Sequence, residues 1–412
     1  MDGRQRRKKS SDFELNSDLL SRMPQEIIEN ILIKLPIKEA VRTSVLSSKW
    51  KSSWASIPDL VFTGKISESE LIRSVDSVLL LHQGSILKFE LVSRQLACDE
   101  AINRWLLALS KNGLKDLRLI FYIFKDCQVP SSLFSCHKLE RLEISGCTIN
   151  APECFHGLEL LRHLTLGTYI LEGVTIEKFV SSCPLLESLT LFGVKHDRLI
   201  IRAPNLKQLI LLESFNDLML ETPKLSSATI FAFPRDFGDD GCKGKLLHTI
   251  GALSNIEELR IDSQFCKYLA TRLIPKKLPV TFFHLKKLSI HLNSRSKMVE
   301  TALCIFRNAP NLKTLGVFVP SQIVWEEQRI TSISFLKKLE VVVILGFADT
   351  ASLLAFSKFI FSTTPKLEKL VIDREDINRL NLDDQTESLM EVGSLPRLSS
   401  KAEIVLDESS KY

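Results

Sequence analysis

The amino-acid sequence predicts an α/β protein: a three-helix module near the N-terminus, then a solenoid in which a curved parallel sheet is backed by convex helices. Three observations carry that expectation. The stretch from Met23 to Leu60 is apolar at helical spacing and punctuated by prolines. One short apolar phrase then recurs in a single frame from Leu114 to Ile372. The composition, 45% apolar and 25% charged over 412 residues, supplies core enough for a long array of such units.

Before the first helix comes "GRQRRKKSSD", with Arg4, Arg6, Arg7, Lys8 and Lys9 and nothing apolar to bury. Residues 1–19 are therefore expected to be a disordered basic tail. It reads as a solvated arm or as a nuclear-import signal. No signal peptide is expected, because the charged start lacks the apolar stretch that would follow, and no uncharged apolar run reaches about 18 residues. The expected location is the nucleus, the cytoplasm or both. A net charge of +5 is small for this length, and its one dense basic cluster lies in the tail rather than along the repeats, so it does not ask for a nucleic-acid partner.

The helices follow from local chemistry. Pro24 stands where a first helical turn tolerates it. Ile27, Ile28, Ile31, Leu32 and Leu35 then recur at helical spacing, and Pro36 breaks the run. Ala40, Val41, Ser44 and Val45 give a second short face. Ser47 is placed to cap a third helix bearing Trp50 and Trp54, and Pro58 ends it. Three helices in so short a stretch make a poor core of their own, so large apolar side chains stay partly uncovered. The module needs a partner surface.

Next come two strands, "DLVF" at Asp59 and "ILKFELV" at Ile86, and a helix at "NRWLLAL" from Asn103. The recurring phrase is clearest at "LERLEISGC" from Leu139, which reads L-x-x-L-x-I-x-x-C. Eleven copies begin at Leu114, Leu139, Leu161, Leu186, Leu206, Leu225, Ile256, Leu285, Leu312, Leu339 and Leu367. Their spacing, 19 to 31 residues, sits around the period of leucine-rich repeats, about 20–29 residues, with some longer units. The first, fourth and sixth positions point into a shared core, while the third, fifth and seventh line the inner face of the sheet. "CPLLESL", "APNLKQL" and "TPKLEKL" place proline before the strand, where it ends the previous segment.

Most inner-face positions are polar or mixed, such as Arg141, Glu143 and Ser145. The middle copies differ, with Phe192, then Ile210 and Leu212, then Phe231. An apolar patch on a polar face marks either a binding site or a surface covered by a neighbouring loop. Glu258, Arg260, Asp262, Lys287 and His291 follow as a charged rim.

Residues 20–60 resemble an F-box in Met23-Pro24, Leu35-Pro36, Leu46-Ser47 and Lys49-Trp50, with methionine in place of the family's first leucine. "LGFADTASLLAFSKFIF" resembles the FBD segment of plant F-box/LRR proteins, with Gly346 and Phe347 at the turn and Leu353, Phe356, Phe359 and Ile360 on the helix. "SSKAEIVL" resembles that segment's final edge strand. The implied organisation is a tail (1–19), an F-box (20–60), leucine-rich repeats (61–335) and FBD-like repeats continuing the solenoid (336–412). The resemblance implies a substrate-recognition subunit of an SCF ubiquitin ligase. Its F-box would dock a Skp-type adaptor and, through it, a cullin. Pro24, Ile27, Ile28, Ile31, Leu35, Pro36, Val45 and Trp50 would form that interface or its supporting core. Phe192, Ile210, Leu212 and Phe231 are the candidate client-binding residues. A non-degradative scaffold and a small-molecule-sensing receptor are the alternatives.

No catalytic, cofactor or metal site is expected. "GDDGCKGK" at Gly238 lacks phosphate-loop spacing and reads as an exposed loop. Nine cysteines, with no C-x-x-C pair, read as reduced core thiols. Cys127, Cys136 and His137 are the one loose cluster with zinc-ligand chemistry.

Overall fold

The computed structural model describes residues 22–64, 67–94, 99–122, 127–152, 154–232, 250–272, 280–292, 296–318, 336–347, 349–379 and 382–407. The basic tail and the Gly238–Lys245 loop lie outside them. The chain divides into two units: residues 1–161 with 169–173, and residues 162–168 with 174–412.

The first unit opens with α1 (Gln25–Leu32), α2 (Ile37–Arg42) and α3 (Ser48–Ser53). Pro24 is the cap of α1 rather than a member of its first turn, and Pro36, after the end of α1, is the cap of α2. Ser47 caps α3, its hydroxyl accepting from the Trp50 amide. A 3-10 turn at Trp54–Ser56 ends the module. The array then begins with β1 (Asp59–Phe62), α4 (Glu68–Leu81), β2 (Lys88–Ser93), α5 (Asp99–Lys111), β3 (Asp116–Phe121), β4 (Gln128–Val129) and β5 (Arg141–Asn150). The strands run parallel in the order β1-β2-β3-β5, with β4 beside the far end of β5. Helices α4 and α5 are tied through Asp76, which accepts from Trp105 Nε1 at 2.7 Å and pairs with Arg104 at 3.0 Å.

The second unit holds parallel strands in sequence order. They are β6 (His163–Glu172, its last residues counted with the first unit), β7 (Ser188–Arg202), β8 (Gln208–Glu221), β9 (Ser227–Ala232) and β10 (Glu258–Ile261). After them come β11 (Lys287–His291), β12 (Thr314–Phe318), β13 (Val341–Leu345), β14 (Lys369–Asp373) and β15 (Glu403–Asp407). The helices of this unit are α6 (Ile176–Ser181), α7 (Ser263–Arg272), α8 (Ser296–Arg307), α9 (Thr350–Thr363), α10 (Arg374–Ile377) and α11 (Leu382–Ser394). Asp349 caps α9, its carboxylate accepting from the Ser352 amide at 2.7 Å, just past the Gly346 turn. No helix among the described residues is long and apolar enough to cross a membrane.

The core follows the sequence frame. The first, fourth and sixth positions of all eleven copies are at most 3% exposed. Copies are also stitched through the backbone at the second position. The Glu187 carbonyl accepts from both the Lys207 and Gln208 amides, and the Lys207 carbonyl from Ser226 and Ser227. The same fork recurs at Glu257, Lys286 and Lys313. The asparagine after the turn proline adds a rung: Asn205 donates to the Pro184 carbonyl at 2.8 Å, and Asn311 to the Phe283 carbonyl at 2.8 Å.

The convex side departs from expectation in the middle copies. After Phe192 the β7 chain passes a bulge and continues as strand to Arg202, paired with β8 from Ser214 to Glu221. "RLIIR" and "DLMLE" are rich in branched and long apolar residues, and "LIIR" favours a pleated return over a helix. Here strand takes the place expected for convex helix.

Candidate functional site

Two surfaces stand apart from the repeated pattern. The first is on the helical module. Ile28 and Leu32 of α1, Ile37 and Ala40 of α2, Trp50 of α3 and Trp54 after it are all buried. Gln25 Nε2 donates to Ser53 Oγ at 3.2 Å, and Lys49 donates to the Met23 carbonyl, so α1 and α3 are locked together. With that core closed, four large apolar side chains remain in water: Val45 at 87% exposure, Ile27 at 46%, and Ile33 and Leu46 at similar levels to Ile27. Covering a fully exposed side chain of this kind is worth about 1.5–3 kcal/mol, which Val45 approaches, and the other three about half of that.

The structure sorts the eight expected residues. Ile28 and Trp50 belong to the module's core. Pro24, Ile27, Pro36 and Val45 are exposed, and Ile31 and Leu35 are half-buried. Sequence reasoning missed Ile33 and Leu46. One follows the last turn of α1 and the other follows a 3-10 turn, so no periodicity marks them.

The second surface is the inner face of the second unit. Phe192, Leu212 and Phe231 stand side by side in register on β7, β8 and β9, with Ile210 one row away between Thr190 and Thr229. Ile210 is 37% exposed, and the other three are half-buried. The row continues beyond the sequence-based patch. The Phe231 ring lies 5.1 Å from His291, and His291 stacks on Phe318 at 5.1 Å. Burial between the rings pushes the His291 imidazole below its ordinary value, which favours its uncharged form. His291 and Phe318 both occupy the seventh frame position, as do Phe192, Leu212 and Phe231. His291, expected in the charged rim, is instead a ring of this row, and reading that single column down the copies would have found Phe318 beside it.

The inner face of the first unit is chemically different. Arg118 bridges Glu90 at 3.0 Å and Glu143 at 2.9 Å, and Lys88 closes on Glu90 at 3.3 Å. Beside them, burial pushes the Asp116 carboxyl up against the pull of Lys88 and Arg141. This face is a charge network; the other is a row of rings edged by serine and threonine.

Among the described residues, no three His, Cys, Asp or Glu side chains are gathered to hold a metal ion. Cys127 and Cys136 are buried while His137 is exposed, and burial pushes the Cys136 thiol up to about 12. Cys147, Cys183, Cys266 and Cys304 are also buried and unbridged, whereas Cys154 is exposed.

Comparison with known proteins agrees with this build. An F-box domain model matches residues 20–61. A model of the LRR repeats of FBD-associated F-box protein At5g56370 matches residues 102–317. The F-box/FBD/LRR-repeat protein At1g13570 of Arabidopsis thaliana is 34% identical over 411 residues, covering 94% of this chain and 98% of that protein. FBD-associated F-box protein At5g56370 of the same plant is 26% identical over 434 residues, covering 94% and 99%. An F-box joined to leucine-rich repeats is the build of a protein-interaction adaptor. With its helical docking module, its frame of leucines and its full-length likeness to these relatives, the chain belongs to the plant F-box/FBD/LRR-repeat family.

Proposed function

We propose that this chain is the substrate-recognition subunit of an SCF-type ubiquitin ligase. Its F-box docks a Skp-type adaptor, and its repeats present a client protein to the ligase. The observation that carries the reading is the helical module, whose core is closed while Val45, Ile27, Ile33 and Leu46 stay in water. A module this small holds such side chains outside only for a partner to cover. The client reading is supported by the partly exposed Phe192, Ile210, Leu212 and Phe231 on an inner face that is otherwise mostly polar. Ubiquitin transfer itself would fall to other subunits.

Co-expression with a Skp-type adaptor tests the first half. The wild-type chain should elute with the adaptor as one complex. Failure to do so, from a folded and soluble chain, would overturn the reading.

A further inference from the structure

The aromatic row on the inner face has a definite spacing, and the spacing selects a kind of ligand. Phe231, His291 and Phe318 succeed one another in two steps of 5.1 Å. Asp262 lies between Phe231 and His291 in register but turns aside, its Oδ1 accepting from the Phe265 amide at 2.8 Å. The two end rings each lie over a glycine: Phe192 over Gly167 and Phe318 over Gly346, so close that a Cβ at either would overlap the ring. The row is thus an ordered ridge, not scattered apolar residues.

We infer that this ridge seats an amphipathic helix of the client, with its apolar stripe along the row. The inference rests on the proposed role of the inner face in client recognition. Successive turns of an α-helix repeat about every 5.4 Å, close to the ring spacing. Same-face side chains of an extended peptide repeat about every 6.6 Å. Over two steps the helix slips by less than about 1 Å, and the extended peptide by about 3 Å. From Phe192 to Phe318 the row crosses five strand steps, about 24 Å, which a helix of about 16 residues spans.

The flanking charge fixes which helix. On the strand side of the row, Arg260 is engaged by Glu258 at 3.0 Å. Lys287 is exposed and makes no ion pair among the described residues. The complementary ligand carries an acidic residue beside its apolar stripe, on the side facing Lys287.

Two displayed peptide libraries of equal composition test this against the full chain bound to its adaptor. One is locked as helices of about 18 residues with an apolar stripe and randomised flanks. The other is interrupted by proline so that it stays extended. The helical library should enrich, with acidic residues on one flank. Selected helices, made as free peptides, should lose about tenfold or more in affinity on Phe231→Ser with His291→Ser, and a smaller factor on Lys287→Ser. Adaptor binding, measured on the same samples, should be unchanged by these variants. Enrichment of extended peptides alone, enrichment of neither, or helices indifferent to the row variants would each overturn the inference. So would self-association of the chain that the row variants abolish. Sensitive binding by extended peptides alone would leave the proposed function standing, whereas loss of adaptor binding by the unmodified chain would strike that function instead.

Discussion

The Phe192 ring lies directly over Gly167 of the preceding copy, so closely that a Cβ at residue 167 would overlap it. Gly167 adopts an ordinary backbone conformation, and the clashing atoms are the far end of one side chain. Gly167→Ala should therefore push the ring out of the row rather than break the fold. Thermal unfolding is expected to show a loss below about 1 kcal/mol, alongside clearly weakened client binding. A large loss of stability would mean that the ring is structural instead.

The frame positions make a second, opposite expectation. Leu209 is buried at the fourth position of its copy, and Leu209→Ala should cost about 2–5 kcal/mol. Ala228 holds the same position in the next copy and is also fully buried. Its neighbours have closed around a methyl group, so Ala228→Leu should cost about 1–3 kcal/mol through overpacking, although it restores the consensus. Denaturant unfolding of both variants checks this. Stabilisation by Ala228→Leu would show an unfilled gap at that site.

Asp262 gives a pH expectation. Burial holds its carboxyl above the ordinary value of 3.8, despite the amides it accepts from. A group whose folded value is raised contributes stability that is fully present below its unfolded value and lost as pH rises through the folded one. Asp262→Asn keeps a side chain able to accept from the Phe265 amide and removes the buried charge. The variant should gain on the parent as pH rises from about 4 to 7. The difference between the two is the proper readout, because Asp116 titrates with the same sign, whereas Glu187 and Glu257 are held below their ordinary range by hydrogen bonds from Lys207 and Arg162, and from Lys286. A parent that gains on the variant would contradict this account.

The leucine frame was legible because burial repeats it: each position is an independent copy of the same demand for a core residue. The caps were legible where chemistry is local, as at Ser47. Three things were not. The division of the F-box residues into core (Ile28, Trp50) and surface (Ile27, Val45) depends on how three helices close on each other, and no periodicity within one helix holds it. The strand-forming return from Lys195 to Arg202 depends on pairing with Ser214–Glu221, so it looks like any apolar segment when read alone. Phe318 escaped notice, and His291 was read as part of a charged rim rather than of the row, for a third reason. Each is unremarkable within its own copy, and they become a surface only through register across copies.

The central claim is that one chain carries two independent interfaces, and one side-by-side measurement tests it most directly. Adaptor affinity and client ubiquitination are measured by titration and by reconstituted ligase assay. The samples are the wild-type chain, Ile27→Asp with Val45→Asp, and Ile210→Ser with Phe231→Ser. A charge forced into an apolar contact is costly, so the first double variant should lose adaptor affinity by about a hundredfold or more while unfolding as the wild type does. The second should bind the adaptor unchanged and lose client ubiquitination. Full adaptor binding by Ile27→Asp with Val45→Asp, or full client ubiquitination by Ile210→Ser with Phe231→Ser, would contradict the account.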